Sequence, residues 1–260
     1  MKLASTVLLA AVLATTGCAS APTSPQDPLE PMNRAVYRFN DVADRAVMKP
    51  LAQGYRTVTP QPARTAVSNF FGNLRDVQSA LNHVLQAEPE RALNDVMRVA
   101  INSTFGLFGL IDIATPAGLK SYKAGFGDTL ARWGWKSSSY LVLPLLGPST
   151  VRDGLGTAVN IAADPTGEAW PTHTSRSVGI GVNAVSVRER LLGMEKTVEE
   201  AALDPYSYTR DAYLALRAQQ VGTPQLNDGS PTDDLDIDEL VPVPTDPATQ
   251  AVPVDASAAQ

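Results

Sequence analysis

The sequence predicts an all-α fold, on three observations. Apolar residues recur at spacings of three and four through most of the chain, prolines and hydroxyl residues stand where helices begin or end, and nothing requires a large sheet. Met32, Val36, Phe39, Ala43 and Val47 make the first stripe, which Pro50 is expected to stop, because proline lacks the amide a helix interior needs. Ala66 to Gln86 repeats the pattern with Val67, Phe70, Leu74, Val77, Leu81 and Val84. Pro89 sits where a first helical turn tolerates it and opens a helix through Leu93, Val96, Met97, Ala100 and Ile101. Ser149 or Thr150 caps another, with Val151, Leu155 and Val159 on one side. Val187, Leu191, Met194 and Val198 mark the next; after Asp204 and Pro205, Ala212, Tyr213 and Leu216 mark the last.

Between these helices lie less regular stretches. Thr104 to Leu119 is apolar and glycine-punctuated, but Asp112 and Pro116 interrupt it, so it cannot span a bilayer unaided; it could lie in an interface. Tyr140 to Pro148, YLVLPLLGP, reads as a strand buried on both faces, a short hairpin or a lipid-facing loop. Ser177 to Val187 fits a strand or a glycine-weakened helix equally well. Trp133, Trp135 and Tyr140, with Lys120, Lys123 and Lys136 nearby, match the aromatic belt found at headgroup depth; a solvated loop flanking buried tryptophans is the alternative.

The chain has 260 residues and a formal charge of -6, from 21 basic and 27 acidic residues. Eight of the acids, six prolines and no Lys or Arg fall between Gly222 and Gln260, so this stretch is expected to be a disordered acidic tail. Without it, 21 basic residues face 19 acidic ones, a near-neutral body that lacks the basic footprint of a nucleic-acid binder. Two histidines and one cysteine make a zinc, haem or iron–sulfur site improbable, and neither metal nor cofactor is expected.

The single cysteine carries the localisation. Met1 to Gly17 runs from Lys2 through an apolar stretch to small residues, as a secretory signal does, and Cys18 follows directly. This is where a bacterial lipoprotein signal places its acylated residue, although Thr15 stands where leucine is usual. Ala19 follows Cys18 in place of an inner-membrane-retaining aspartate, so the outer membrane is expected. Several acyl chains on Cys18 would anchor the protein stably, and residues 18 to 26 read as a flexible tether to a body spanning 27 to 221.

Catalytic chemistry is sparse. No G-x-S-x-G elbow and no P-loop lysine occur, and neither His83 nor His173 is paired by context with a nucleophile. Gly179 to Ala184, GIGVNA, fits a loose dinucleotide pattern but lacks the strand such a site needs before it. Asp27, Glu30 and Arg34 read as a local capping or ion-pair cluster.

The segment DPLEPMNRAVYRFND, Asp27 to Asp41, strongly resembles the opening of the VacJ/MlaA family of outer-membrane lipoproteins. Further matches follow in order: PQPAR at Pro60, SNFFGNL at Ser68, RVAINSTFGLFGLIDIAT at Arg98, FGDTLARWGW at Phe126, LVLPLLGPSTVRDGLG at Leu141 and LDPYSYTRDAY at Leu203. The resemblance implies a ring of amphipathic helices lying in the periplasmic leaflet of the outer membrane, open through an amphipathic channel. It implies removal of phospholipids misplaced in the outer leaflet and their transfer to a soluble periplasmic lipid carrier, in association with trimeric porins and without covalent chemistry. Phe39 and Asn40 match a Phe-Asn pair linked to regulation of lipid flow in the family, though Phe39 at helical spacing also suits a core position. Leu141, Leu143, Pro144, Leu145, Leu146 and Gly147 match the hairpin that gates the channel. Lys136, Ser137, Ser138 and Ser139 replace glycines common before that hairpin, and serine resists backbone angles that glycine permits. The rival readings are a lipid-anchored phospholipid-modifying enzyme and a porin-associated scaffold.

Overall fold

A computed structural model describes residues 27–164, 170, 172–193 and 203–222. The signal segment, Cys18, the tether, Met194, Val198 and the acidic stretch from residue 223 lie outside the described residues. Among the described residues the fold is helical apart from one hairpin: α1 (Glu30–Ala43), α2 (Lys49–Val58), α3 (Gln61–Leu85), α4 (Pro89–Thr104), α5 (Phe126–Arg132), β1 (Tyr140–Leu143), β2 (Gly147–Thr150), α6 (Val151–Ala162), α7 (His173–Leu191) and α8 (Pro205–Gly222). Helix α8 runs through Gly222, one residue into the stretch read as tail. Among the described residues no helix is long and apolar enough to cross a membrane.

The helices close a circuit. Helix α1 continues into α2, α2 packs on α7, α7 on α3, α3 on α4 and α5, α5 on α6, α6 on the hairpin, and β1 returns to α1. Pro50 does not stop the first helix as the sequence suggested. Asp44–Met48 winds as a π-helix, whose wider turn admits a residue without an amide, and Pro50 then falls in the first turn of α2. The same π-turn presents Asp44 to Arg188 of α7 in a two-pronged ion pair (2.6 and 2.7 Å). On α7, Glu189 pairs with Arg64 of α3, and Arg56 of α2 stands 3.7 Å away. The closure of the circuit at α7 is therefore ionic.

Two ambiguous segments resolve. Ser177 to Val187 lies inside α7; Gly179 and Gly181 are helical, with Trp170 packed against Gly179 and edge-on to Phe70. Tyr140 to Pro148 is an antiparallel hairpin pairing Tyr140 with Thr150 and Leu143 with Gly147. Thr150, of the two capping candidates, caps α6, its Oγ1 accepting from the Asp153 amide (3.1 Å). Helices α5 and α6 approach so closely that a Cβ on Gly156 would lie 2.3 Å from the Gly127 nitrogen, so only glycine fits there.

Tyr140 corrects the reading of it as an interfacial residue. It is 0% exposed and forms the small apolar core with Val142 and Tyr206, flanked by Val36, Tyr37, Tyr213 and Leu214. The alternation of β1 turns Tyr140 and Val142 inward toward α1 and α8, which a belt tyrosine two residues from a buried valine cannot avoid. Burial and nearby Asp27 push the Tyr140 hydroxyl well above the ordinary tyrosine range.

Helix α8 is held to α1 by ions as well as rings. Arg34 bonds Glu30 (2.8 Å) and both oxygens of Asp204 (2.7 and 3.3 Å), while Arg210 lies 3.5 Å from Asp27. The Arg34 bond, with Ser207 adding a second, pulls the Asp204 carboxyl from 3.8 to about 2. A carboxylate whose pKa is lowered by folding stabilises above its unfolded value and ceases to do so as pH falls through the folded one. Hydrogen exchange in mild detergent should therefore show the first turn of α8 losing protection as pH drops from about 4 to about 2, and Asp204→Asn should abolish that pH dependence. An unchanged profile in Asp204→Asn would show that the pair does not hold α8.

Candidate functional site

The polarity of the molecule is inverted. Among the described residues no Leu, Ile, Met, Phe or Trp is buried; Val142, two tyrosines and alanines are the buried apolar residues. Asn33, Asp76, Asn82, His83, Asp95, Arg98, Asn102, Thr129 and Arg152 are buried instead. Large apolar side chains stand outside: Phe39, Val42 and Val47 on α1 and its π-turn, Leu81 and Val84 on α3, Leu93, Val96 and Met97 on α4, Val178 and Ile180 on α7. Phe39 is 55% exposed, so it is not a core residue. The stripes found in the sequence are real, but much of each faces outward: Val36 and Tyr213 pack on the small core and Phe70 on Trp170, while Phe39, Leu81, Val84, Leu93, Val96 and Met97 are exposed.

Helices α3 and α4 show how this is built. Their facing sides carry Asp76, His83, Asp95, Arg98 and Asn102. Arg98 Nε donates to Asp76 (3.2 Å), its Nη1 to Thr115 Oγ1 (3.0 Å) and to the Leu119 carbonyl (2.6 Å). Lys123 donates to the other Asp76 oxygen and to the Gly72 carbonyl (3.2 Å). His83 Nδ1 meets Asp95 at 2.8 Å, with Tyr122 edge-on to the ring. Buried charges need partners of this kind. His173, the other histidine, opens α7 and is exposed.

The apolar stretch after α4 folds back under its own hydrogen bonds. Phe108, Gly109 and Ile111 amides donate to the Ser103, Asn102 and Gly106 carbonyls, and Asn102 Oδ1 accepts from Ile113 (2.8 Å) and Ala114 (2.9 Å). Leu107 and Phe108 adopt φ of 52° and 59°, left-handed angles that non-glycine residues rarely take. Phe108 ends 81% exposed beside Phe105, Leu107, Leu110 and Ile111. Pairing these backbone groups internally lowers the cost of placing the outward apolar side chains against lipid.

The predicted hairpin residues divide by role. Leu141 and Leu143 lie over Gly154 of α6, while Leu145 and Leu146 at the turn are 72% and 63% exposed. Leu145 has φ 63° and Gly147 φ 85°, and Pro144 precedes them. Helix α1 pairs with β1 through two asparagines. Asn33 donates to the Tyr140 carbonyl (3.2 Å) and accepts from the Val142 amide (2.9 Å); Asn40 donates to the Leu143 carbonyl (2.9 Å) and accepts from the Leu145 amide (2.8 Å). Seven residues of helix and three of strand both advance about 10 Å, so the two side chains stay in register. Sequence reasoning found Asn40 through resemblance and missed Asn33, whose spacing of seven from Asn40 on one helix face was the available signal.

The segment before the hairpin is pinned. Arg152, 2% exposed, donates to the Trp135 (3.1 Å) and Lys136 (3.0 Å) carbonyls, its amide donates to Ser138 Oγ (2.9 Å), and the Val151 amide donates to the Ser139 carbonyl (3.0 Å). Arg152 also pairs with Asp153, which Arg217 and Tyr213 of α8 reach at 2.7 and 3.1 Å. Burial pushes the Asp153 carboxyl up, but bonds and charge from Arg217, Thr150 and Arg152 outweigh it and leave it below the usual range. Trp133 is 59% exposed and donates Nε1–H to the Leu85 carbonyl (3.0 Å); Trp135 is partly exposed beside it.

Removing either asparagine should loosen the hairpin unequally. Asn33→Ala leaves buried backbone groups unpaired and should destabilise the fold by about 2–3 kcal/mol, read as a lower Tm in detergent. Asn40→Ala should cost about 1 kcal/mol while speeding exchange of the Leu145 amide. Equal protection of that amide in Asn40→Ala and the parent would show that the side chain does not clamp the turn.

The family model described as MlaA lipoprotein matches residues 25–220. The intermembrane phospholipid transport system lipoprotein MlaA of Escherichia coli K12 is 33% identical over 82% of this chain and 87% of its own length. An uncharacterised protein of Rickettsia typhi is 34% identical over 76% of this chain and 79% of its own. A solved structure described as the structural basis for maintenance of bacterial outer membrane lipid asymmetry superimposes with a TM-score of 0.65, at 31% identity, covering 75% of this chain and 98% of that one. With a ring of helices, an inverted polarity and matches that span the whole helical body, the chain belongs to the MlaA lipoprotein family.

Proposed function

We propose that this chain is an outer-membrane phospholipid-transport lipoprotein, which removes phospholipid from the outer leaflet and so maintains lipid asymmetry. The observation that carries this reading is the inverted polarity: apolar side chains ring the outside while carboxylates, guanidinium groups and amides fill the inside. In water such a molecule would expose its apolar surface and bury its charges, both unfavourable. In one leaflet of a bilayer the exterior meets acyl chains, and the interior gives an ionic headgroup a route that avoids hydrocarbon. The names carried by the relatives, for phospholipid transport and for outer-membrane lipid asymmetry, support the same reading.

In this scheme Cys18 carries acyl chains that hold the protein at the inner face of the outer membrane. Phe108, Trp133 and Trp135 sit in the leaflet or at its edge. The hairpin tip at Leu145 and Leu146 borders the lipid path, and Asn40 sets its position. A soluble periplasmic carrier receives the lipid, and a trimeric porin is the membrane partner. The transfer needs no covalent step. His83 is committed to Asp95, and among the described residues it has no hydroxyl or thiol partner, which argues against a hydrolase.

In cells lacking the protein, labelling of surface-exposed phospholipid should rise and fall again on re-expression. A His83→Gln, His173→Ala double variant should restore the low level as the parent does. Failure of that variant to rescue while folded would favour catalysis, and altered porin recovery with unchanged surface phospholipid would favour scaffolding. Cys18→Ser should abolish lipid modification of the chain; an unaltered lipidated protein would refute the anchor.

A further inference from the structure

Inside the ring, a cavity of about 240 Å³ opens between α3, α4, the 112–123 segment and α7. Its lining is polar or glycine throughout, and Asn73, Arg98, Asp112, Ser121, Lys123 and Arg190 carry its chemistry. The volume lies below the roughly 300–1,000 Å³ of pockets that enclose drug-sized molecules, so it suits a headgroup and not a whole diacyl lipid.

Among the buried polar atoms of the lining residues, Asn73 Oδ1 and Ser121 Oγ have no hydrogen-bond partner within the protein. Asn73, 7% exposed, uses its amide N–H on Ser103 Oγ (3.0 Å) and leaves Oδ1 unbonded; Ser121 Oγ is likewise unbonded. Buried groups of this kind are exceptional and point to a bound polar molecule. The charges around them are mixed. Arg98 and Lys123 both engage Asp76, and Arg98 Nη2 lies 3.6 Å from Asp112. Burial pushes the Asp112 carboxyl up, but bonds from Thr115 and Asn102 and the Arg98 charge keep it below the usual range, so it stays ionised. The cavity wall is also joined to the apolar loop, since Asn69 Nδ2 donates to the Leu110 carbonyl (3.2 Å).

We infer that this cavity holds the headgroup of a zwitterionic glycerophospholipid, with the phosphate at Arg98, Lys123 and Arg190, the amine at Asp112 and Asn73 Oδ1, and the acyl chains outside over Phe105 to Ile113. The inference rests on the phospholipid-transport reading above and adds a defined resting place on the path. Guanidinium and ammonium groups interleaved with carboxylate and amide oxygens in one lining match a head bearing both signs; an anionic head would leave Asp112 opposed.

Native mass spectrometry of the full lipidated chain in detergent, titrated with dihexanoyl-phosphatidylethanolamine, tests it. Lys123→Gln should weaken binding about tenfold, as loss of a charge-assisted bond does. Lys123→Arg should restore it. Ser121→Ala removes a hydroxyl that bonds nothing within the protein, so it should leave the Tm unchanged while weakening binding about threefold. Dihexanoylglycerol, lacking the head, and inorganic phosphate should both compete poorly, and dihexanoyl-phosphatidylglycerol should bind less well than the ethanolamine lipid. Parent-like binding by Lys123→Gln and Ser121→Ala would overturn the site, as would equal competition by inorganic phosphate or by dihexanoylglycerol, or a preference for phosphatidylglycerol. If those variants bind like the parent and still lower surface phospholipid in cells, the headgroup site falls and the transport reading stands. If the parent neither binds the lipid nor lowers surface phospholipid, both fall.

Discussion

The described structure depends on pairing buried polar and charged groups inside a shell whose apolar core, among the described residues, is small. Asp76 with Arg98 and Lys123, Asp95 with His83, Asp153 with Arg152 and Arg217, and Glu189 with Arg64 each tie elements together where a soluble helical protein would place leucine. Such pairs are costly to desolvate and contribute specificity more than net stability. In the proposed setting acyl chains around the exterior would supply what the interior does not, because the exposed Val96, Phe108 and Ile180 lose no hydrophobic contact by facing lipid. On the proposed reading fold and environment are not separable, because a leaflet would complete the ring.

The hairpin depends on the same rule. Strand β1 needs partners for its second edge, and two asparagine side chains of α1 provide them where a third strand would otherwise be required. The base is fixed in the Tyr140, Val142 and Tyr206 cluster, and only the turn at Leu145 and Leu146 projects. Lys136 to Ser139 are tied to α6 by Arg152 and the Val151 amide, and the Asn40 side chain bonds both sides of the turn through the Leu143 carbonyl and the Leu145 amide.

Helix positions were legible in the sequence because the 3.6-residue period is independent of what the apolar face meets. For the same reason its direction was not: Leu93, Val96 and Met97 give one pattern whether they face a core or a bilayer. Pro50 misled because a π-turn can absorb a proline that an α-helix would refuse. Tyr140 misled because tyrosine suits both a headgroup belt and a buried cluster, and the distinction lies in Tyr206, 66 residues away in sequence. The cavity was illegible altogether, since Asn73, Arg98, Asp112, Ser121 and Lys123 meet only once the chain between α4 and α5 folds back over α3.

The most direct measurement is spin-label accessibility in liposomes, with single cysteines at Val96, Phe108 and Ile180 on the exterior and at Ser68 and Ser121 on the cavity lining. A lipid-facing shell around a polar interior predicts high collision with oxygen and low collision with a water-soluble nickel chelate at the three exterior sites, and the reverse at the two cavity sites. Exterior labels that meet the nickel chelate as freely as an unfolded chain does would contradict it.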